Sequence, residues 1–224
     1  MIDISINLLA ANETGGFAAA WDFLQKGGIF MIPLGLTSIA GTMAILYKAL
    51  ALSGNRVIPQ SLAREMAHYQ QRIGAGHKDP VPAGIEKGES TLARLSAVVL
   101  KHRGKAHGEI TRAVESAARE ETVHLHAGIG VLDTVITIAP LLGLIGTASG
   151  LVLIFQGLGN NSDHLAIARG ISEALTTTIF GLTIAVPCVI AHGYFLRRIE
   201  TLTARLETLL ADLASVCEKP TPHV

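Results

Sequence analysis

Three blocks of this chain are almost free of charge, and that constrains its fold more than anything else in the sequence. Residues 29–52 carry Lys48 alone, residues 127–158 carry Asp133 alone, and residues 171–196 carry Glu173 as their sole acid. About 20 apolar residues suffice to cross the hydrocarbon of a bilayer, so each block is long enough to span it. Charged residues make up 16% of the chain, against about 25% in soluble domains, and the shortfall falls in these blocks. The expected fold is all-α: an integral membrane protein with three transmembrane helices. Lys48 lies near one end of the first block, where its stem can snorkel towards the headgroups.

Lys and Arg placement sets the direction of the spans. Lys26 is the one basic residue ahead of the first span, and Arg169 the one between the second and third. The connection between the first two spans holds Arg56, Arg64, Arg72, Lys78, Lys87, Arg94, Lys101, Arg103, Lys105, Arg112 and Arg119, and Arg197, Arg198, Arg205 and Lys219 follow the third. The predicted order is a periplasmic N-terminus (1–28), transmembrane helix 1 (29–52), a cytoplasmic helical region (53–126) and transmembrane helix 2 (127–158). A short periplasmic link (159–170), transmembrane helix 3 (171–196) and a cytoplasmic C-terminal helix and tail (197–224) complete it. The N-terminal stretch has a short apolar run, Leu8 to Ala11, with Asp3 ahead of it instead of Lys or Arg, which does not read as a secretory signal. Phe17, Trp21 and Leu24, opposite Asp22, Gln25 and Lys26, read as an amphipathic helix in the outer interface.

On the cytoplasmic side, Leu62, Met66, Tyr69 and Ile73 step as one helix face. Gly74, Gly76, Pro80, Pro82 and Gly84 break that helix. A second helix around Thr91 to His102 presents Leu92, Leu95 and Val99. A third starts near Glu109 and runs without a breaker towards span two, with Glu115 and Arg119 as an i,i+4 pair. After span three, Ile199, Leu202, Leu206, Leu209, Leu213 and Val216 form a seam of three- and four-residue steps. Spans two and three are therefore expected to extend into the cytoplasmic domain, their seam packed by the chain's own helices together with a neighbouring subunit.

Polar groups inside spans are costly and normally face protein or a water-filled path. Asp133, Thr137, Pro140 and Thr147 fall near one stripe of span two, and Gly143, Thr147 and Gly150 make a small face that admits another helix. Span three carries Glu173, then Thr176, Thr177 and Thr178, and Thr183. A single span threonine is usually bonded to its own i−4 carbonyl; the whole set, with a carboxylic acid at the start of span three, reads as a polar conduit.

The run Ala139-Pro140-Leu141-Leu142-Gly143-Leu144-Ile145-Gly146-Thr147 resembles the AP-x-x-GL-x-GT motif of the MotA/TolQ/ExbB proton-channel family. Ile171-Ser172-Glu173-Ala174-Leu175, then Thr178, Gly181-Leu182 and Ala185-x-Pro187, is similar to that family's span-three pattern. Gln25-Lys26-Gly27-Gly28 also resembles the approach to its first span. The likeness runs from about Trp21 to Arg198 and is closest to the ExbB/TolQ branch. It implies a homopentamer around a dimer of ExbD/TolR-like single-span proteins, in the bacterial inner membrane, with a TonB/TolA-like energy transducer as a further partner. Gradient-driven flow of H+ or Na+ would be coupled there to outer-membrane import or envelope maintenance. Carried over, Thr147, Thr178 and Glu173 are the ion-pathway residues, with Thr177 beside them; Asp133 is added from the residues alone. Pro140, Gly143, Gly146, Gly150, Gly181 and Pro187 form the helix-packing motif.

The chain's formal net charge of +0 gives no basic face for nucleic acid. His124 and His126 stand two apart, on different faces of a helix, so no metal site is expected. Cys188 and Cys217 make no disulfide framework. The glycines of span two lack a P-loop lysine, and no nucleophile stands with a base, so neither an enzyme nor a cofactor is expected. The competing readings are a flagellar-type or other stator subunit, a structural membrane scaffold with no ion conduction, and a self-sufficient transporter. Three spans without internal repeats argue against the transporter.

Overall fold

The computed structural model describes residues 29–74, 80–156 and 164–218. The elements are α1 (Met31–Ala51), α2 (Gly54–Val57), α3 (Gln60–Gly74), α4 (Ala83–Glu86), α5 (Thr91–Lys101), α6 (His107–His126), α7 (Ile129–Gln156) and α8 (His164–Cys217). No strand occurs among the described residues. Three stretches, Met31–Ala51, His107–Gln156 and Ile167–Cys217, are long and apolar enough to cross a membrane. The expected interfacial helix around Trp21 lies outside the described residues. Of the link expected at 159–170, the part from His164 onward is already helix.

The chain divides into two compact units. In the first, formed by the described residues of Met1–Ala44 and Val131–Ile190, the centre is Met31, Leu34 and Ala139, with Leu142, Phe180 and Ile184 packed against them. Gly41 lets α1 approach both other spans: a Cβ there would stand 2.8 Å from Cys188 Sγ and 3.2 Å from Val135 Cγ1. The opposite face of α1, with Ile32, Leu36, Ile39 and Met43, is exposed and largely apolar, its Thr42 hydroxyl bonded to Ser38 O. A stripe of large exposed apolar side chains suits lipid tails rather than water.

The second unit comprises Ile45–Gly130 and the described residues of Ala191–Val224. Ser90 caps α5 by accepting the Ala93 N–H at 3.1 Å. The buried face of α5 is Leu92, Leu95, Ser96 and Val99, and Ser96 Oγ donates to Met66 Sδ at 3.4 Å. On α3, Leu62, Met66 and Tyr69 are buried and Ile73 half-buried, as their spacing requires. The predicted seam of α8 shifts by one residue along its length: Ile199, Leu202, Leu206, Leu210, Leu213 and Cys217 are buried, while Leu209 and Val216 are only partly so. Those six residues repeat at the 3.6-residue period of a straight helix, whereas the predicted set repeats at 3.5, the period of a supercoil. The seam is covered by this chain's own residues. The Gly104 N–H, in the left-handed region at φ 81°, donates to Cys217 O at 2.9 Å, and burial pushes the Cys217 thiol up from its ordinary pKa.

Two expectations are corrected where α1 ends and α7 begins. The third helix does not run on into span two: α6 stops at His126, Ala127 is extended (φ −51°, ψ 130°), and Gly128 takes φ 84°. That left-handed position explains why a glycine stands there. Lys48 does not snorkel to the headgroups. It is 1% exposed, and its Nζ donates to Leu125 O at 2.6 Å. The last carbonyls of a helix have no partner within it, so the end of α6 offers the ammonium an acceptor inside the protein.

The expected Glu115–Arg119 ion pair is not found; the α6 carboxylates that pair are Glu109, with Lys105 at 3.5 Å, and Glu121. Arg94 grips it with both ends of the guanidinium, Nε to Oε1 and Nη2 to Oε2, each at 2.6 Å. The hydrogen bond from Arg94 holds the Glu121 carboxyl below its ordinary range. A carboxyl whose folded pKa is lowered contributes stability above its unfolded value, about 4.3, and loses it as pH falls through the folded value. Arg94 is 48% exposed on its side chain, so solvent screening limits the pair to about 1 kcal/mol. Glu121→Gln is expected to lower the melting temperature at pH 7, with the gap to wild type closing below pH 4; circular-dichroism melts in detergent at several pH values check this.

Candidate functional site

The motif residues meet where α7 and α8 lie backbone to backbone in the first unit. A Cβ on Gly143 would stand 2.8 Å from Thr177 O and 3.0 Å from Thr178 Cα, and one on Gly181 would stand 2.5 Å from Ala139 O. On Gly146 it would meet Thr177 Oγ1 at 2.7 Å, and on Gly150 it would meet Ala174 Cβ at 2.8 Å. The small face of span two thus has its neighbour within the same chain. This is the small-residue packing that lipid-embedded helices rely on, since burying apolar surface against apolar surface gives no hydrophobic gain there.

The closeness brings three hydroxyls onto two carbonyls. Thr147 Oγ1 lies 3.0 Å from Gly143 O, its own i−4 carbonyl, and 3.1 Å from Ala174 O across the interface. Thr177 Oγ1 lies 2.8 Å from Ala174 O and 3.1 Å from Gly143 O, and Thr178 Oγ1 lies 3.0 Å from Gly143 O. Thr147 Oγ1 also contacts Thr178 Oγ1 at hydrogen-bond range and Thr177 Oγ1 at 3.5 Å. Each hydroxyl has one proton to give, and each of the two helical carbonyls, already accepting its own i+4 N–H, has one lone pair left, so two protons go to carbonyls and the third to a neighbouring hydroxyl oxygen. What remains at the cluster is acceptor capacity on the hydroxyl oxygens. Thr177 is enclosed, at 2% exposure, while Thr147 and Thr178 are half-buried.

The acids make no hydrogen bond to this cluster among the described residues. Glu173 is exposed on α8, and Asp133 is exposed on α7, fourteen residues or about 21 Å along the helix from Thr147. Neither has a side-chain partner among the described residues. Thr137, Thr176 and Thr183 hydrogen-bond the carbonyls four residues earlier, those of Asp133, Ser172 and Ile179, and take no part in the cluster. Pro140 and Pro187 lie inside α7 and α8, which remain helical through them. No group of His, Cys, Asp and Glu that could hold a metal occurs among the described residues.

A family model described as the MotA/TolQ/ExbB proton channel family matches residues 85–208, more than half of the chain and all of α7. The chain belongs to that family. The match begins at α4, so it covers more than the two motifs, and it contains every residue of the threonine cluster. The biopolymer transport protein ExbB of Xanthomonas campestris pv. campestris is 27% identical, over 90% of this chain and 83% of the relative. The ExbB of Pseudomonas putida is 27% identical over 99% of this chain and 71% of its own length. The Tol-Pal system protein TolQ of Pseudomonas aeruginosa is 34% identical, over 49% of this chain and 48% of the relative.

Sequence reasoning paired Thr147 with Thr178 through their motifs and missed the acceptors, because Gly143 O and Ala174 O are main-chain atoms without a sequence signal. The available clue was spacing, and only for one bond: Thr147 stands four residues after Gly143, whose carbonyl it bonds. The same contacts predict two opposite glycine effects. Gly181→Ala drives a methyl into a backbone carbonyl that cannot yield, and is expected to destabilise by about 1–3 kcal/mol. Gly193→Ala meets nothing within 4 Å and is expected to stabilise α8 by up to about 1 kcal/mol. Thermal unfolding of the two variants in the same detergent checks the contrast.

Proposed function

We propose that this chain is the ring-forming subunit of an inner-membrane ion-driven motor of the ExbB/TolQ kind. Five copies surround a dimer of ExbD/TolR-like single-span proteins, and the proton or sodium gradient drives movement of one component against the other. The mechanical output passes through a TonB- or TolA-like transducer to outer-membrane import or envelope maintenance. The observation that carries this reading is the cluster of Thr147, Thr177 and Thr178 on Gly143 O and Ala174 O. It joins both family motifs in one hydrogen-bonded group at span depth.

Thr147 and Thr178, half-buried and with lone pairs to spare, serve the ion path beside an acid of the partner. Thr177, enclosed between the helices, holds them in register. Glu173 and Asp133 support the reading from another direction: an acid exposed on a span is costly in hydrocarbon and calls for a partner or a water-filled passage. Glu173 serves the seam or the passage between subunits, and Asp133 the inner end of span two. A scaffold without conduction would need neither acid.

The spans run with the N-terminus periplasmic and the C-terminus cytoplasmic, as their Lys and Arg residues favour. With Cys188 and Cys217 replaced, a cysteine at Asn160 is expected to react with a membrane-impermeant thiol reagent added outside, and one at Lys87 not to react. The reverse pattern contradicts the orientation.

Thr147→Val and Thr178→Val keep the shape and remove the hydroxyl. Each is expected to retain a pentamer by native mass spectrometry, with its single-span partner bound, and to lose partner-dependent transport by at least tenfold. Glu173→Gln is expected to assemble better than Glu173→Ala while remaining defective. Full transport by both valine variants would reduce the threonines to packing residues, and a stable monomer would remove the ring.

A further inference from the structure

Lys48 is the largest fully buried polar side chain among the described residues, and nothing in the ion path uses it. Its one hydrogen-bond partner given by the structure is Leu125 O, at 2.6 Å. Leu125 belongs to the last turn of α6, where carbonyls lack intrahelical partners and the helix dipole is negative. The neighbouring carbonyls are already served, because the Ala127 N–H donates to Val123 O at 3.0 Å and to His124 O at 3.2 Å. Leu125 O is left to the ammonium.

In an uninterrupted helix, Leu125 O would accept from the N–H of Ile129, four residues on. The local sequence gives little reason for that helix to stop. Residues 122–136 contain no proline, and no Ser, Thr, Asp or Asn stands at the start of α7 to cap it. Glycine at 128 permits the left-handed turn at φ 84° and does not compel it. The group that distinguishes the broken state from the continuous one is therefore contributed from 77 residues away in sequence.

We propose that Lys48 is a positioning residue that holds the break between α6 and α7 by taking the carbonyl that Ile129 would otherwise bind. The broken and continuous forms are alternatives, and the ammonium of span one selects between them. The helix entering span two from the cytoplasmic side is thereby under the control of span one. This inference concerns backbone conformation and stands independently of ion conduction.

The backbone of Ala127 reports the state directly. It is extended at ψ 130° in the broken form and helical in the continuous one, and alanine 13Cα and 13Cβ chemical shifts separate those conformations. The experiment uses full-length protein in lipid bilayers with 13C-alanine, the Ala127 resonance being assigned by its loss in Ala127→Ser. Wild type and Lys48→Arg, which keeps charge and donors, are expected to give extended shifts. Lys48→Met, which keeps the stem and loses the ammonium, is expected to move Ala127 to helical shifts. An extended Ala127 in folded Lys48→Met would overturn the proposal, since the lysine would then only fill space. If Lys48→Met does not accumulate, Gly128→Ala tests the same equilibrium from the other side. Its methyl would meet Tyr47 Cδ1 at 3.5 Å and Lys48 Cε at 3.6 Å, which is ordinary contact. The left-handed turn is disfavoured for alanine; an ammonium that holds the break is nonetheless expected to keep Ala127 extended there, and helical shifts would overturn the proposal, since the glycine would then decide the conformation.

Discussion

The direct backbone approach of α7 and α8 is the constraint on which the candidate site depends. In hydrocarbon, apolar side chains gain nothing by leaving lipid for protein, so two spans stay together through close packing and hydrogen bonds. Gly143 and Gly181 remove the side chains that would hold the helices apart, and the threonines then reach across to main-chain oxygens. The order of cause matters. Without the glycines the hydroxyls would sit too far away to share acceptors, and without the shared acceptors the threonines would bond only their own helices, as Thr137, Thr176 and Thr183 do.

The same cluster serves packing and is suited to conduction, and the two roles are compatible. Donors bound to carbonyls lock the hydroxyls in place, while their oxygens keep lone pairs for water or an ion. Thr177 lies at the enclosed end of this range and Thr147 and Thr178 at the half-buried end. A site with fixed dipoles and residual acceptors is what a narrow ion passage requires, because an ion leaving water needs replacement ligands that do not collapse when it departs.

The sequence announced the spans, the fold class and the motif threonines, because charge depletion over a membrane thickness and a motif in register are strong local signals. It was weaker wherever the answer depended on a partner distant in the chain. Lys48 resembles any snorkelling lysine until Leu125 O is found beside it, 77 residues away. The break at Ala127 and Gly128 has no proline to mark it, so the stretch reads as one helix. The α8 seam was legible as apolar, but over five steps the predicted set from Ile199 to Val216 and the buried set from Ile199 to Cys217 differ by only one position. Only packing against the rest of the unit decides between Leu209 and Leu210. Small residues on span two admit another helix without saying which, and the helix they meet is the chain's own third span.

Membership of the MotA/TolQ/ExbB family and the threonine cluster motivate the proposal that this chain forms a conducting ring only together with a single-span partner. The direct measurement is proton or sodium uptake into vesicles under an imposed gradient. It uses the purified chain alone, the chain with an ExbD/TolR-like single-span protein, and the chain with that protein's intramembrane aspartate changed to asparagine. The account predicts flux from the complex and neither from the chain alone nor from the asparagine complex. Equal flux in all three preparations, or none in any with the complex intact, would contradict it.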